Sequence, residues 1–321
     1  MNTQIRIWKQ GQFYPELGTM SIETSAAVRP GPSDDLIAIE GFNVRPDQYG
    51  HFNSALYSDE ELDAVSTYGV ARAVIDLYER LWEVPIKWQW QQNGDPAPLR
   101  ILIRNNDINA RFLPENKCIE LDYYGPSENL VYNCRTIDLV AHEVGHVIMH
   151  SVKPKWENSP PETKGLEEAF CDLTPMFLIL HYEALASEVI AETKGDLNRD
   201  NILSLFGVGH GFDDNRKKAI RNALNDCTYS KEEWNPYHYS SVLVGGLYEL
   251  LIEMYLMLPG NDNVARLQQA GHLWMESISK TFLLCHSTES SLGEFVSILK
   301  GILPDYNEKI DQIFRRRNLE L

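Results

Sequence analysis

The chemistry of this chain begins with His142, Glu143 and His146, within the stretch TIDLVAHEVGHVIMH. Residues four apart on a helix stack one turn apart, with about 5–6 Å between Cβ atoms, so both imidazoles can bind one Zn²⁺ from the same face. Glu143, one position along, reaches the open coordination position, where a water would be deprotonated. The His and Glu frequencies of this chain give roughly 0.02 chance matches to HExxH, so the motif alone is suggestive. Its context strengthens it: Leu139, Val140, Val144, Val147, Ile148 and Met149 surround it with the apolar residues of a buried helix.

Zinc in a hydrolase needs a third protein ligand and a vacant position. A third histidine six residues after the second is ruled out, because Val152 stands there. His150, i+4 from His146, reads as a helix-end histidine, since a third imidazole on one straight helix points too far along the axis. Downstream, KGLEEAFCDL carries Glu167, Glu168 and Asp172. Glu168 and Asp172 share a helix face, so one can bind metal while the other accepts the second N–H of a ligating histidine. Taken alone, that pair reads as a solvated acidic face. Cys171, i+3 from Glu168, could offer a further ligand but reads better as a small core residue.

Together these two segments resemble the thermolysin-like gluzincins, zinc peptidases of the HExxH type with a downstream glutamate ligand. VAHEVGH followed by EAFCD is similar to the family's histidine helix and its Glu-Ala-x-x-Asp helix, with a comparable loop between. The resemblance spans roughly residues 38–318. It implies Glu168 as third ligand and Asp172 as the partner of His142. Asn109-Ala110-Arg111-Phe112 is similar to the edge segment that holds substrate backbone as an added strand. His238-Tyr239-Ser240-Ser241 resembles the segment whose histidine stabilises the oxyanion, and Glu233 sits where the family keeps a carboxylate orienting it. Lys218-Ala219-Ile220-Arg221 resembles the stretch with an arginine beside the first primed-side pocket, which Leu139 and Ile220 would make apolar.

The implied activity is zinc-dependent endopeptidase hydrolysis of peptide or protein substrates, by a zinc-bound water with Glu143 as general base and then acid. A gluzincin aminopeptidase is the alternative within enzymes, although its Gly-Ala-Met-Glu-Asn type of signature is absent. A catalytically weak binding protein on a peptidase scaffold is the alternative outside them. Two departures bear on this. Where the family has a tyrosine in Tyr-x-Asn, this chain has Trp156-Glu157-Asn158, whose indole N–H can donate but cannot titrate, so either Trp156 takes that role or it rests on His238 alone. The calcium-binding carboxylates are mostly missing, leaving Asp138 and Glu192, too few for a hard oxygen cage.

The elements that must position these residues fall into an α+β class, with a mixed front half and a helical back half. Residues 4–14 read as a hairpin around a Gly-containing turn, 28–35 as a linker, and IAIEGFNV, HFNSALY, KWQWQQ, LRILIRN and KCIELDY as extended. Ser58 and Glu61 form a capping box before a helix over 62–81. Helices are expected at 166–182, 215–226, 239–257, 262–284 and 307–317. The implied organisation is an N-terminal hairpin and linker over 1–36, an α+β lobe over 37–151 ending in the histidine helix, and a helical lobe over 152–321. On the resemblance the zinc site lies at their junction.

Composition narrows the partners. With 29 Lys+Arg against 46 Asp+Glu, the net charge of −17 disfavours phosphate backbones and anionic lipid surfaces, so no nucleic-acid partner is expected. The Arg315-Arg316-Arg317 run reads as a solvated last helical turn. The five scattered cysteines lack a CxxC pair and argue against a disulfide framework or an all-cysteine zinc site. Ser241–Leu258 is apolar but holds Glu249 and Glu253, and reads as a buried core helix rather than a membrane span. No signal peptide is visible; if Met1 is the native start the chain is expected in the cytoplasm, and otherwise it leaves by an unrecognised route. One Zn²⁺ per chain and no calcium are therefore expected. A calcium-selective chelator should leave the melting temperature unchanged, and a strong drop would contradict this reading.

Overall fold

Buried Ile5 and Ile7 alternate with more exposed neighbours in β1 (Thr3–Trp8), the pattern of a half-buried strand. Its partner is β2 (Thr19–Thr24), antiparallel, with Thr3 opposite Thr24 and Trp8 opposite Thr19. The hairpin thus closes over a longer connection than the turn expected near Gly11. The computed structural model describes residues 2–11, 14–105, 109–125, 130–208 and 219–319. Phe13 of the expected hairpin, and Lys218 with the rest of 215–218, lie outside them.

The chain divides into two units: Met1–Arg80, Val84–Ser151 and Gly207–Lys218 make the first, and Leu81–Glu83, Val152–Phe206 and Ala219–Leu321 the second. In the first, helix α1 (Asp59–Trp82) starts at a reciprocal box: Glu61 N donates to Ser58 Oγ at 3.2 Å, and Ser58 N to a Glu61 carboxylate oxygen at 2.9 Å. β1 lies directly on α1 at Gly69, where a Cβ would stand 2.5 Å from Ile7 Cγ2. The unit continues through β3 (Ile37–Ile39), α2 (Gln89–Gln92), β4 (Leu99–Ile103), β5 (Ala110–Leu113), β6 (Cys118–Leu121), β7 (Tyr123–Tyr124), β8 (Val131–Tyr132) and α3 (Ile137–Val152). The four-stranded sheet runs β3-β4-β6-β5, with β3, β4 and β6 parallel and β5 antiparallel at one end.

Two expected extended segments differ. In HFNSALY only Phe52 pairs, as a bridge to Ile5. KWQWQQ contains the helical turn α2: the alternating Trp88 and Trp90 mimic a strand, but their indoles donate to the Leu36 and Ala97 carbonyls, at 2.6 and 2.8 Å.

Asp63 on α1 is fully buried and ties the first unit together. It accepts from Arg135 Nε at 2.7 Å, Arg104 Nη1 at 2.9 Å and Trp8 Nε1 at 3.3 Å. Burial raises the pKa of its carboxyl, against the opposing pull of the two guanidiniums, so the charge depends on those partners. Arg135 lies two residues before the start of α3, and the network therefore anchors the entry to the histidine helix.

The second unit holds α4 (Pro161–His181), α5 (Glu183–Thr193), the short ladder of β9 (Leu205–Phe206) and β10 (Arg221–Asn222), α6 (Pro236–Met257), α7 (Asn263–Leu284), α8 (Leu292–Ile302) and α9 (Asn307–Arg316). A helix over 215–226 is not formed where the chain is described: Ile220 N donates to the Phe206 carbonyl and Ala223 N to the Ser204 carbonyl, at 2.9 and 2.7 Å. α6 is long and apolar enough to cross a membrane, and 72% of its most apolar window is buried inside the protein. Of the arginine run, Arg315 and Arg316 are exposed in the last turn of α9, as expected, and Arg317 departs from that reading. Arg317 is buried, donating to Glu249 at 3.1 Å and to the Asn225 carbonyl at 2.7 Å. The chain is of the α+β class.

Replacing Asp63 by Ala would leave two guanidiniums without their buried carboxylate. The expected cost is about 3 kcal/mol in denaturant unfolding, and a change below about 0.5 kcal/mol would refute the anchoring role.

Candidate metal centre

α3 carries the motif as expected, and its apolar face explains why it is buried: Val140, Val144, Val147 and Ile148 are almost wholly inaccessible. His142 and His146 stand one turn apart with ring centroids 4.9 Å apart, nearly edge to face. His142 and Glu143 are each only 5% exposed. Asp138, in the first turn, accepts from Leu139 N and from Gly207 N, the latter at 2.7 Å. His150 sits edge-on to Phe112 of β5, with centroids 5.6 Å apart, which suits a helix-end packing role.

α4 begins with Pro at its first position and runs through Gly165, Glu168, Cys171 and Asp172. Gly165 is where α4 meets α6: a methyl there would collide with Tyr239 Cβ and lie 3.0 Å from the Pro236 carbonyl oxygen. The close approach lets Ser240 Oγ donate to Asp172 at 2.9 Å. Arg221 Nη2 donates to the other Asp172 oxygen at 2.6 Å. Burial works against the Arg221 charge, yet the carboxylates of Asp172 and then Glu168 raise its pKa above the ordinary arginine value. Its guanidinium also lies over the Phe206 ring, at 4.5 Å, and the Tyr237 ring, at 5.2 Å. Arg221, expected beside a substrate pocket, is therefore drawn into holding Asp172.

α6 is started by Asn235, whose side chain accepts from Tyr237 N at 3.0 Å, followed by Pro236. Glu233 accepts from Trp234 N and Asn235 N, each at 2.9 Å; the Asn235 and Trp234 amides hold its carboxyl below the usual range. His238 Nε2 is 2.9 Å from the Thr228 carbonyl oxygen, so in the neutral ring that nitrogen carries the proton and Nδ1 is an acceptor. Trp156 is fully buried, and its single donor goes to the His286 carbonyl at 3.0 Å. That donor is thus spent within the fold, which favours the alternative that the role rests on His238 alone. Asn109 Oδ1 accepts from Ala110 N at 3.0 Å, and its carbonyl accepts from Asp122 N and Asn133 Nδ2.

His142 and His146 on α3 and the buried Cys171 on α4 carry donor types that can hold a metal ion. Cys171 is buried, as its reading as a core residue requires. Ser240 is a partner of Asp172 that the sequence does not announce; its position two residues after His238 gives no hint of that contact. Glu192, on α5, accepts from Ile202 N at 3.1 Å. No protein-family model and no curated protein matches the sequence.

Because a Cβ at Gly165 has no room, Gly165→Ala should force α6 away from α4. The expected loss is about 1–3 kcal/mol in unfolding free energy. A neutral or stabilising effect would show that the crossing tolerates the methyl.

Proposed function

We propose that this protein is a zinc-dependent metalloendopeptidase of the thermolysin-like kind. The carrying observation is α3, which holds His142 and His146 one turn apart with Glu143 beside them in an otherwise apolar, buried helix. The donor chemistry fits zinc: imidazole, carboxylate and thiolate are its usual ligands, whereas calcium and magnesium require oxygen throughout. His142, His146 and Glu168 would hold it. When bound, zinc supplies Lewis-acid chemistry, acidifying water and polarising an amide carbonyl.

The chain's own residues supply the rest. Glu143 accepts the proton of the attacking water and returns it to the departing amine nitrogen. Asp172, its charge held by Arg221 and Ser240, would accept the second ring N–H of His142 and so fix that imidazole's tautomer. His238 donates to the oxygen that becomes negative. With its Nε2 directed at Thr228, the second ring nitrogen donates only in the imidazolium form. Substrate backbone adds along β5, which has a strand neighbour on one side only among the described residues.

A second reading, a peptide-binding protein with weak or no turnover, draws support from Trp156, whose only donor is committed to His286. Digestion of a peptide library with parallel metal analysis separates the two. Wild type should hold one zinc per chain and cleave internal bonds, while Glu143→Gln should keep the zinc and lose about 10²–10⁴-fold in rate. Equal cleavage by both proteins would rule out the mechanism, and zinc without cleavage of any peptide would favour the binding protein.

A further inference from the structure

Asn133 opens the short turn Asn133–Arg135 between β8 and α3, and its side chain is buried. Its backbone N donates to the Asp122 carbonyl at 3.1 Å, and its Nδ2 donates to the Asn109 carbonyl at 2.9 Å. The same Asn109 oxygen accepts from Asp122 N at 3.0 Å. Two donors on one carbonyl set the direction of the Asn109–Ala110 peptide, and in a trans peptide the N–H points opposite the C=O. The Ala110 N–H therefore faces away from β6. The register agrees: Ala110 stands opposite Leu121, whose carbonyl turns the other way to accept from Arg104 N at 2.9 Å. That is a pair whose main-chain groups do not bond each other but point outward. The Ala110 N–H thus lies on the side of β5 that has no strand neighbour among the described residues, covered by the exposed Asn109 side chain through its Oδ1. Asn133 Oδ1, by contrast, is buried with no hydrogen-bond partner among the described residues. An unmade buried acceptor costs stability, so this amide contributes through its donor.

We propose that Asn133 is a positioning residue for extended peptide substrates: it holds the Asn109 carbonyl inward, so that the peptide bond after it presents its N–H at the start of the edge where substrate backbone adds. The proposal rests on the peptidase reading above and deepens it. Asn133 touches no substrate and acts through Asn109. Its carbonyl accepts from Thr136 N at 3.2 Å, and Arg135 of the same turn is held by Asp63. The turn leads directly into α3, so the clamp fixes the edge in the frame of the helix that carries Glu143, within the first unit alone.

The test uses peptides that share one scissile bond and increase in length from a blocked dipeptide, cleaved by the zinc-loaded full chain as wild type, Asn133→Asp and Asn133→Ala. Asn133→Asp keeps the shape but puts an acceptor where the donor was, and Asn133→Ala removes the donor without adding charge. In both variants the loss of kcat/KM should grow with peptide length. It should stay below about threefold for the shortest peptide cleaved and reach about 10–100-fold for the longest, mainly through KM. The same substitutions placed in Glu143→Gln should weaken binding of the longest peptide, read by calorimetry, by about tenfold or more. A merely structural amide would lower activity on all lengths alike. A loss independent of length, no loss on the longest peptide, or failure of both variants to fold would each overturn the proposal and leave the peptidase reading standing. Wild type that holds zinc and cleaves no peptide overturns that reading and the proposal with it.

Discussion

Burial of a polar motif in an apolar helix is the constraint on which this molecule turns. α3 needs its valines and isoleucine inside to be stable, and the same burial takes Asp138, His142 and Glu143 out of water. Buried polar and ionisable groups are costly unless bonded or coordinated. Asp138 is answered by backbone amides, including Gly207 N. The approach to α3 is anchored by the buried Asp63 network.

The same logic governs α4. Asp172 is a buried carboxylate with both oxygens engaged, one by Arg221 and one by Ser240. That satisfaction depends on the short β9/β10 ladder, which delivers Arg221, and on Gly165, which lets α6 come close enough to deliver Ser240. Three segments distant in sequence thus converge on one carboxylate. The arrangement holds the charge in one orientation, as a group that positions a ligand must be held.

Several differences between sequence and structure share one cause, competition for hydrogen bonds. Trp88 and Trp90 alternate like strand residues, but their indole N–H groups need acceptors, and the Leu36 and Ala97 carbonyls hold that segment in a helical turn. Arg221 lies in a stretch with helical periodicity, yet pairing opposite Phe206 and the pull of Asp172 make it a strand residue. Arg317 looks like a solvated helix-end charge but is buried against Glu249 and two backbone carbonyls. Propensity and periodicity are local, and each of these outcomes was decided by a partner 49 or more residues away or by a loop closure.

By itself the sequence determined the histidine helix, the acidic helix after it, the capping box before α1 and the helical character of the second unit. Each is written in a local pattern: a four-residue spacing, an apolar face, a Ser-x-x-Glu start. Only the tertiary structure decided that Trp156 spends its donor on His286, that Arg221 serves Asp172, and that Ser240 engages the second oxygen of that carboxylate. A side chain's type fixes what it can bond, but which partner lies within 3 Å or 5 Å is set by how distant segments pack, and no local pattern encodes that.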